Sequence, residues 1–242
     1  MPAEPRSCRP SQSRSEYSRR TTASRVRDTG AMRLGSVDDL RGIYRRPGQG
    51  AIDKVIHRLD PHCEDFLAKS PFFVLGTADA DGVCDASPKG GPPGFVQPLD
   101  DRRLAWADFA GNNRLDSFQN LVTNPSVALL FLIPGLDETL RVNGDAELVT
   151  DTDICGRFAV NGKLPHVVVV VTVAEAYIHC AKALRRAALW SPTSWLEPGE
   201  LPSAACIVKD HAGLASDVAS IEKAREQNLQ DTLWEPGGQP PI

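Results

Sequence analysis

Five consecutive valines, Val167 to Val171, followed by Thr172 and Val173, constrain this chain more than any other feature. β-Branched side chains crowd the preceding turn of a helix but fit a pleated sheet, so the run reads as a strand. It is apolar on both faces and must be covered on both, which makes it the most buried strand of the sheet it joins. Other segments supply that sheet. Phe72 to Ala78 is an apolar run closed by Asp79-Ala80-Asp81-Gly82, a hairpin turn with glycine where positive φ is needed. Val83 to Ser87 returns as its partner. Lys89 to Gly94 is a Gly/Pro loop, and Phe95 to Leu99 and Leu104 to Ala107 flank a turn at Asp100-Asp101-Arg102. Val127 to Ile133 is apolar throughout. Thr139 to Val149 alternates, with Leu140, Val142, Ala146 and Leu148 on one face and Arg141, Asn143, Asp145 and Glu147 on the other.

A helical period appears once among these strands. From Asn113 onward Leu115, Phe118, Leu121 and Val122 share a face until Asn124-Pro125 stops the helix. Several antiparallel strands with short turns and one inserted helix argue a mainly β (α+β) protein whose sheet closes or half-closes into a barrel. Helices flank it. Ser36-Val37-Asp38-Asp39 opens a short one, Ile52 to Leu59 is a second helical piece, and Asp60-Pro61 starts a third that ends at Ser70-Pro71. After Trp190, prolines 192, 198 and 202 mark an irregular linker. A last amphipathic helix from about Ser216 to Trp234 has Val218, Ile221, Leu229 and Leu233 as its packing side. The expected organisation is a tail at 1–31, a helical segment at 32–70, a barrel core at 71–190, and a linker with a C-terminal helix at 191–242.

The 242 residues carry a formal net charge of −4, which gives no whole-chain case for nucleic acid or an anionic membrane as partner. The charge is uneven: residues 1–31 hold seven arginines against Glu4, Glu16 and Asp28. That tail reads as disordered, with an organelle transit peptide or an upstream extension before Met32 as the alternatives. Six scattered cysteines without a CxxC or zinc-site spacing point to reduced thiols in a cytoplasmic protein and to no metal site. No apolar run is long enough to span a membrane.

The candidate chemistry lies at strand and helix ends. Gly111-Asn112-Asn113-Arg114 opens the inserted helix, with Asn112 or Asn113 able to cap it. A cation in the first turn opposes the helix dipole unless an anion is bound, so Arg114 is either a phosphate ligand or a surface arginine paired with Asp116. Ser87-Pro88-Lys89 places a hydroxyl and an ammonium at a strand end, which serves either an anion or ordinary turn chemistry. Arg141 lies on the polar face of its strand, and either lines a cleft or pairs with Asp145 or Glu147. His179 and Cys180 are adjacent in a strand and point to opposite faces, which argues against a catalytic pair. Lys182 can contact an anion, and Trp190 can be a flat apolar wall, a core residue or an interface residue. GxSxG, HExxH and GxGxxG are absent, against hydrolase, zincin and Rossmann readings.

Taken together, three strings carry a resemblance: Asp85-Ala86-Ser87-Pro88-Lys89-Gly90, Gly111-Asn112-Asn113-Arg114-Leu115-Asp116-Ser117, and Asn124-Pro125-Ser126-Val127-Ala128-Leu129-Leu130-Phe131. They are similar to the pyridoxamine 5'-phosphate oxidase-like FMN-binding split barrels. The stretch from Pro134-Gly135 through Glu138-Thr139-Leu140-Arg141-Val142-Asn143-Gly144 and the string His179 to Lys182 resemble a subgroup of FMN-dependent enzymes of undefined substrate. The resemblance spans roughly residues 36–234 and implies a six-stranded antiparallel split β-barrel with flanking helices. It also implies a homodimer with FMN at the interface. Carried over, Ser87, Lys89, Asn113, Arg114 and Ser117 would hold the ribityl phosphate or ring edge, with Arg141, Lys182 and Trp190 as further cofactor contacts.

The implied activity is hydride or electron transfer through the flavin between a small-molecule substrate and a partner such as NAD(P)H, with no catalytic acid or base assigned. The alternatives are a non-catalytic flavin-binding redox sensor or storage module, or the same barrel with a deazaflavin or a haem, for which only His166 and His179 are axial candidates. Authentic pyridoxamine-phosphate oxidases end with a close Arg and His pair that grips substrate. This chain has only His211 there, which argues against that reaction.

Overall fold

The computed structural model describes residues 33–237, so the expectations for the tail at 1–31 lie outside the described residues. Three helices come first: α1 (Val37–Ile43), α2 (Gln49–Asp53) and α3 (Pro61–Lys69). The capping box at Ser36 and Asp39 forms as the sequence implies, and Asp60 caps α3 through the Cys63 amide at 2.9 Å. The second piece stops earlier than its apolar residues suggest. Ile56 leaves the helix because its N–H and C=O both bond Ala176, at 3.0 and 2.8 Å, extending the sheet beside the valine strand.

Seven strands follow: β1 (Phe72–Ala78), β2 (Cys84–Gly90), β3 (Gln97–Asp100), β4 (Arg103–Ala107), β5 (Ser126–Leu132), β6 (Thr139–Val149) and β7 (Val168–His179). They form one antiparallel sheet in the order β2-β1-β5-β6-β7-β4-β3. The mainly β split-barrel class is as expected, with seven strands where six were expected. β2 and β3 remain edges, so the barrel is open along one side.

The valine strand is buried on both faces, as its composition requires. Val169, Val171 and Val173 face the main core, while Val168 and Val170 pack with Ala105, Ala107, Cys155 and Phe158. The helix α5 (Thr152–Gly156) supplies that outer cover. The main core shows how far the sheet curls. Phe73 on β1 meets Trp106 on β4 edge-on at 4.9 Å between ring centroids, although three strands separate β1 from β4 in the sheet. Phe131 lies 4.9 Å and Phe95 5.8 Å from the same Phe73 ring. The helix α4 (Asp116–Thr123) carries the chain from β4 across to β5, packing on β1, β2 and β6.

Beyond β7 the chain forms α6 (Lys182–Arg186), then α7 (Ala204–Ala212) inside the segment read as an irregular linker. Ser203 caps α7 and Gly213, at φ 65°, ends it, signals outweighed in the sequence by three prolines. The last helix, α8 (Val218–Thr232), packs against α7 but buries none of its residues, and its expected packing residues Leu229 and Leu233 are exposed. Cys63, Cys84, Cys155 and Cys180 are free thiols, whereas Cys206 is disulfide-bonded, a correction to the all-thiol expectation. Among the described residues no helix is long and apolar enough to cross a membrane.

A bulge between β6 and β7 sets Asn143 opposite Glu175 and Gly144 opposite Val173, leaving Ala174 unpaired. A Cβ on Gly144 would collide with the Thr172 carbonyl and stand 3.2 Å from the Ala174 nitrogen, both main-chain atoms that cannot swing away. Gly76 on β1 has ordinary room, its nearest neighbour being the Ala128 carbonyl at 3.5 Å. Gly144→Ala is therefore expected to destabilise the protein by about 3 kcal/mol and Gly76→Ala by less than about 1 kcal/mol in urea unfolding. Equal losses would contradict the close approach at the bulge.

Candidate functional site

Strand β2 is an edge, and that determines what its inward side chains do. Exposure alternates along it, so Asp85, Ser87 and Lys89 point inward while Cys84, Ala86 and Pro88 point outward. Pro88 is tolerated because an edge strand has one side without ladder partners. Ser87 and Lys89 thus lie within the strand and not in a turn at its end. Because β2 has no further neighbour, its inward residues border an opening, where the end of β4 and the start of α4 meet them.

The resulting cleft has a volume of about 280 Å³ and is lined by Ser87, Lys89, Asp108, Asn113, Arg114 and Ser117, among others. Five of the eight residues singled out in the sequence come together here. A second hollow of about 490 Å³ shares Ser87, Lys89 and Asp108 and is backed by Trp106 and Phe95. The site therefore combines a polar recess with an apolar floor.

The loop into α4 is unusual. Asn113 and Leu115 adopt left-handed backbone, at φ 55° and 57°, which costs energy for residues with a Cβ. Neither Asn112 nor Asn113 caps the helix. Leu115 takes the N-cap position without any side-chain cap, while Asn112 Oδ1 accepts from the Arg114 amide at 3.1 Å. The first turn of α4 lines the cleft, and no side chain caps it. Arg114 Nε donates to Asp116 Oδ2 at 2.8 Å and stays largely exposed, so the surface pairing weighed in the sequence is present at the cleft rim. Ser117 is buried, and its hydroxyl donates to Asp85 Oδ2 at 2.6 Å.

Lys89 and Asp108 are the central pair. Burial pulls the Lys89 ammonium below the usual lysine range, with the carboxylates of Asp108 and Asp85 opposing that shift. Burial pushes Asp108 up, and Lys89 opposes it. The two feel each other's charge without forming an ion pair, so each remains a half-buried ionisable group facing the cleft. Sequence reading missed Asp108. Its only signal is an acid directly after the apolar strand end Leu104 to Ala107.

The other three residues lie elsewhere. Pro88, Val74, Leu130, Arg141 and Tyr177 form one cross-strand row, and directly paired residues share a face. Arg141 therefore stands on the outer face with Pro88, opposite to Ser87 and Lys89. Its Nη1 donates to the Tyr177 hydroxyl at 2.9 Å, and Lys54 lies over the same ring. His179 is pulled below its usual value by burial, then by Arg141 and Lys54. Trp190 donates from Nε1 to the Leu136 carbonyl at 2.8 Å, and Lys182 begins α6, exposed, directly after the end of β7. A groove of about 470 Å³ along α8 is lined by Leu214, Ile221 and Leu229 with Ser216, Ser220, Arg225 and Asn228, and holds none of the eight candidate cofactor residues singled out in the sequence. Among the described residues no group of three histidines, cysteines or acids is placed to hold a metal.

The family model described as pyridoxamine 5'-phosphate oxidase matches residues 59–180, just over half of the chain. No curated protein matches it. Solved structures do. HupZ from Group A Streptococcus is similar at 16% identity and a TM-score of 0.41, covering 50% of this chain and 93% of that one. General Stress Protein 26 from Bacillus anthracis is similar at 16% identity and 0.37, covering 48% and 93%. An FMN-binding protein from Syntrophomonas wolfei is similar at 13% identity and 0.37, covering 48% and 87%.

The raised Asp108 has a testable sign. The folded chain holds that proton to higher pH than the unfolded chain, so stability falls as pH rises from about 4, the ordinary aspartate value, through the raised value. Asp108→Asn removes this dependence. The stability difference between variant and wild type should move in the variant's favour between about pH 4 and pH 7 in urea unfolding. A difference that stays flat would show that the carboxyl is not held in a desolvated site.

Proposed function

This chain belongs to the pyridoxamine 5'-phosphate oxidase family, and from that premise we propose that it is an FMN-binding oxidoreductase acting on a small molecule. The observation that carries the reading is Lys89. It is an inward, half-buried ammonium without an ion-pair partner among the described residues, set beside the uncapped start of α4. Burying a cation is costly, the carboxylates of Asp108 and Asp85 offset that cost only in part, and an anion at this position would offset the rest together with the first-turn amides of α4.

The donor set fits a phosphate monoester. Lys89 would supply the charge, Ser87 a hydroxyl, the first turn of α4 its amides, and Arg114 a guanidinium at the rim. Ser117 holds Asp85 in place, since its one O–H already donates there. Asp108 sits in the same cleft, and its raised pKa lessens the repulsion it would exert on an anion. The adjoining hollow, backed by Trp106 and Phe95, suits the flat apolar part of the cofactor. Bound there, FMN supplies hydride or electron transfer between the substrate and a partner such as NAD(P)H. The protein's part is to fix the phosphate and to shield the ring from water.

We extend the proposal to a homodimer. Arg141, Lys182 and Trp190 stand away from the cleft of their own chain, so they could contact a cofactor only across an interface with a second copy. Pyridoxamine phosphate is not the proposed substrate, because the Arg-x-His pair is missing and His211 lies exposed in α7.

The visible spectrum of the purified protein, with the released cofactor identified by mass, tests the reading. About one FMN per chain is expected. Lys89→Met should weaken FMN binding by roughly ten- to a hundredfold, the worth of a hydrogen bond to a charged group. Arg114→Ala should weaken it less, because that arginine is exposed and already paired. A colourless protein that also rejects added FMN would overturn the proposal.

A further inference from the structure

After α8 the chain turns back to the end of β4. Pro236 forms a bridge with Phe109, the Ala110 amide donates to the Glu235 carbonyl at 2.8 Å, and the Gly237 amide donates to the Asp108 carbonyl at 2.8 Å. Trp234 packs edge-on against Phe109 at 6.1 Å, and Lys163 pairs with Glu235 at 2.6 Å. Gly237 is buried against the Asp108 side chain. A Cβ there would stand 2.7 Å from the Asp108 Cγ and 2.8 Å from the Phe109 carbonyl oxygen, so only glycine fits. Gly237 forms part of the wall of the polar cleft, and Leu233 part of the wall of the adjoining hollow.

We propose that the segment Leu233–Gly237 is a gating strap over this cleft, docked when ligand is held and lifted when ligand enters or leaves. Among the described residues it is attached by two main-chain hydrogen bonds, one ring edge, and an ion pair whose side chains are 56% and 41% exposed. Among the described residues the helix that leads into it, α8, buries none of its own side chains and has its main packing partner in α7. Such a weakly held element opens locally without unfolding the domain. The strap also covers the main chain of Asp108, the acid that faces Lys89. Lifting it should therefore let water reach both half-buried charges at once. The ligand of the gate rests on the flavin reading above; its geometry does not.

Carbene footprinting of the ligand-free protein, which reports exposure irrespective of charge, tests the gate directly at Lys89. Gly237→Ala forces the strap off and should raise Lys89 labelling at least about fivefold with little change in thermal unfolding. Lys163→Glu should raise it about twofold by setting like charges opposite each other. The charge swap Lys163→Glu with Glu235→Lys should restore the wild-type level, which keeps the test decisive if Gly237→Ala fails to fold. Unchanged Lys89 labelling in the folded variants overturns the gate.

A second arm uses FMN. Both the association and the dissociation rate should rise at least about tenfold in Gly237→Ala, the mark of a gate. A rise in dissociation alone would show a fixed wall and overturn gating. A wild-type protein that rejects FMN while its Lys89 labelling still follows the strap would remove the flavin assignment and leave the gate standing.

Discussion

The contact between Phe73 and Trp106 is the constraint on which the rest of the structure depends. The rings belong to strands that three others separate along the sheet, yet they meet at 4.9 Å. Only a strongly curled sheet permits that, and the right-handed twist of strands makes such curling natural. Phe131 and Phe95 close on the same Phe73 ring, so four aromatic side chains fill the centre. Each ring pair contributes about 0.5–1.5 kcal/mol beyond its buried area. The area term is larger, which is why the core sets the curl. The curl in turn brings the edge strand β2 opposite the exit of β4. Without it Lys89 and Asp108 would have no common cleft.

That cleft holds a lysine and an aspartate that act on each other without forming an ion pair. Exposed ion pairs such as Arg103 with Asp100 and Arg185 with Asp137 are satisfied locally and are worth little. Lys89 and Asp108 differ because desolvation outweighs their mutual attraction: the lysine is pulled down and the acid is pushed up. Direct pairing would have moved both the other way. Each of the two keeps part of its desolvation cost, which the other's charge offsets without cancelling. Perturbed groups of this kind in a cleft favour a functional account over a structural one.

Much of the fold was legible because it rests on local rules. The valine run, the alternation of β6, the Asp79 to Gly82 turn and the stop at Asn124-Pro125 each follow from side-chain shape or backbone freedom. Five of the residues carried over from the resemblance line one cleft, although Lys89 lies in β2 where a loop was expected and neither asparagine caps α4. What was not legible depends on long-range placement. Whether Arg141 shares a face with Lys89 is decided by the register of three successive strand pairs, and one residue of slip would reverse it. Asp108 gains its role from burial that its neighbours in sequence do not reveal. The cap at Leu115 runs against residue preference, the kind of local violation that binding sites carry.

The separation of Arg141 from the cleft also limits how the site can work. Arg141 sits on the outward row with Pro88, and the inward row carries Ser87 and Lys89 one residue to either side. Side chains on opposite faces of one continuous sheet cannot grip the same small ligand, however the loops move. A second copy removes that restriction, because its outward face can be laid against the open side of the first. Two-fold symmetry would then repeat the arrangement at a second cleft with no new surface required. The edge strand β2 is the natural place for such a meeting, since it is the unpaired border of the barrel and the wall of the cleft at once. The proposed homodimer would bring the outward face that carries Arg141 to the open side of a second copy.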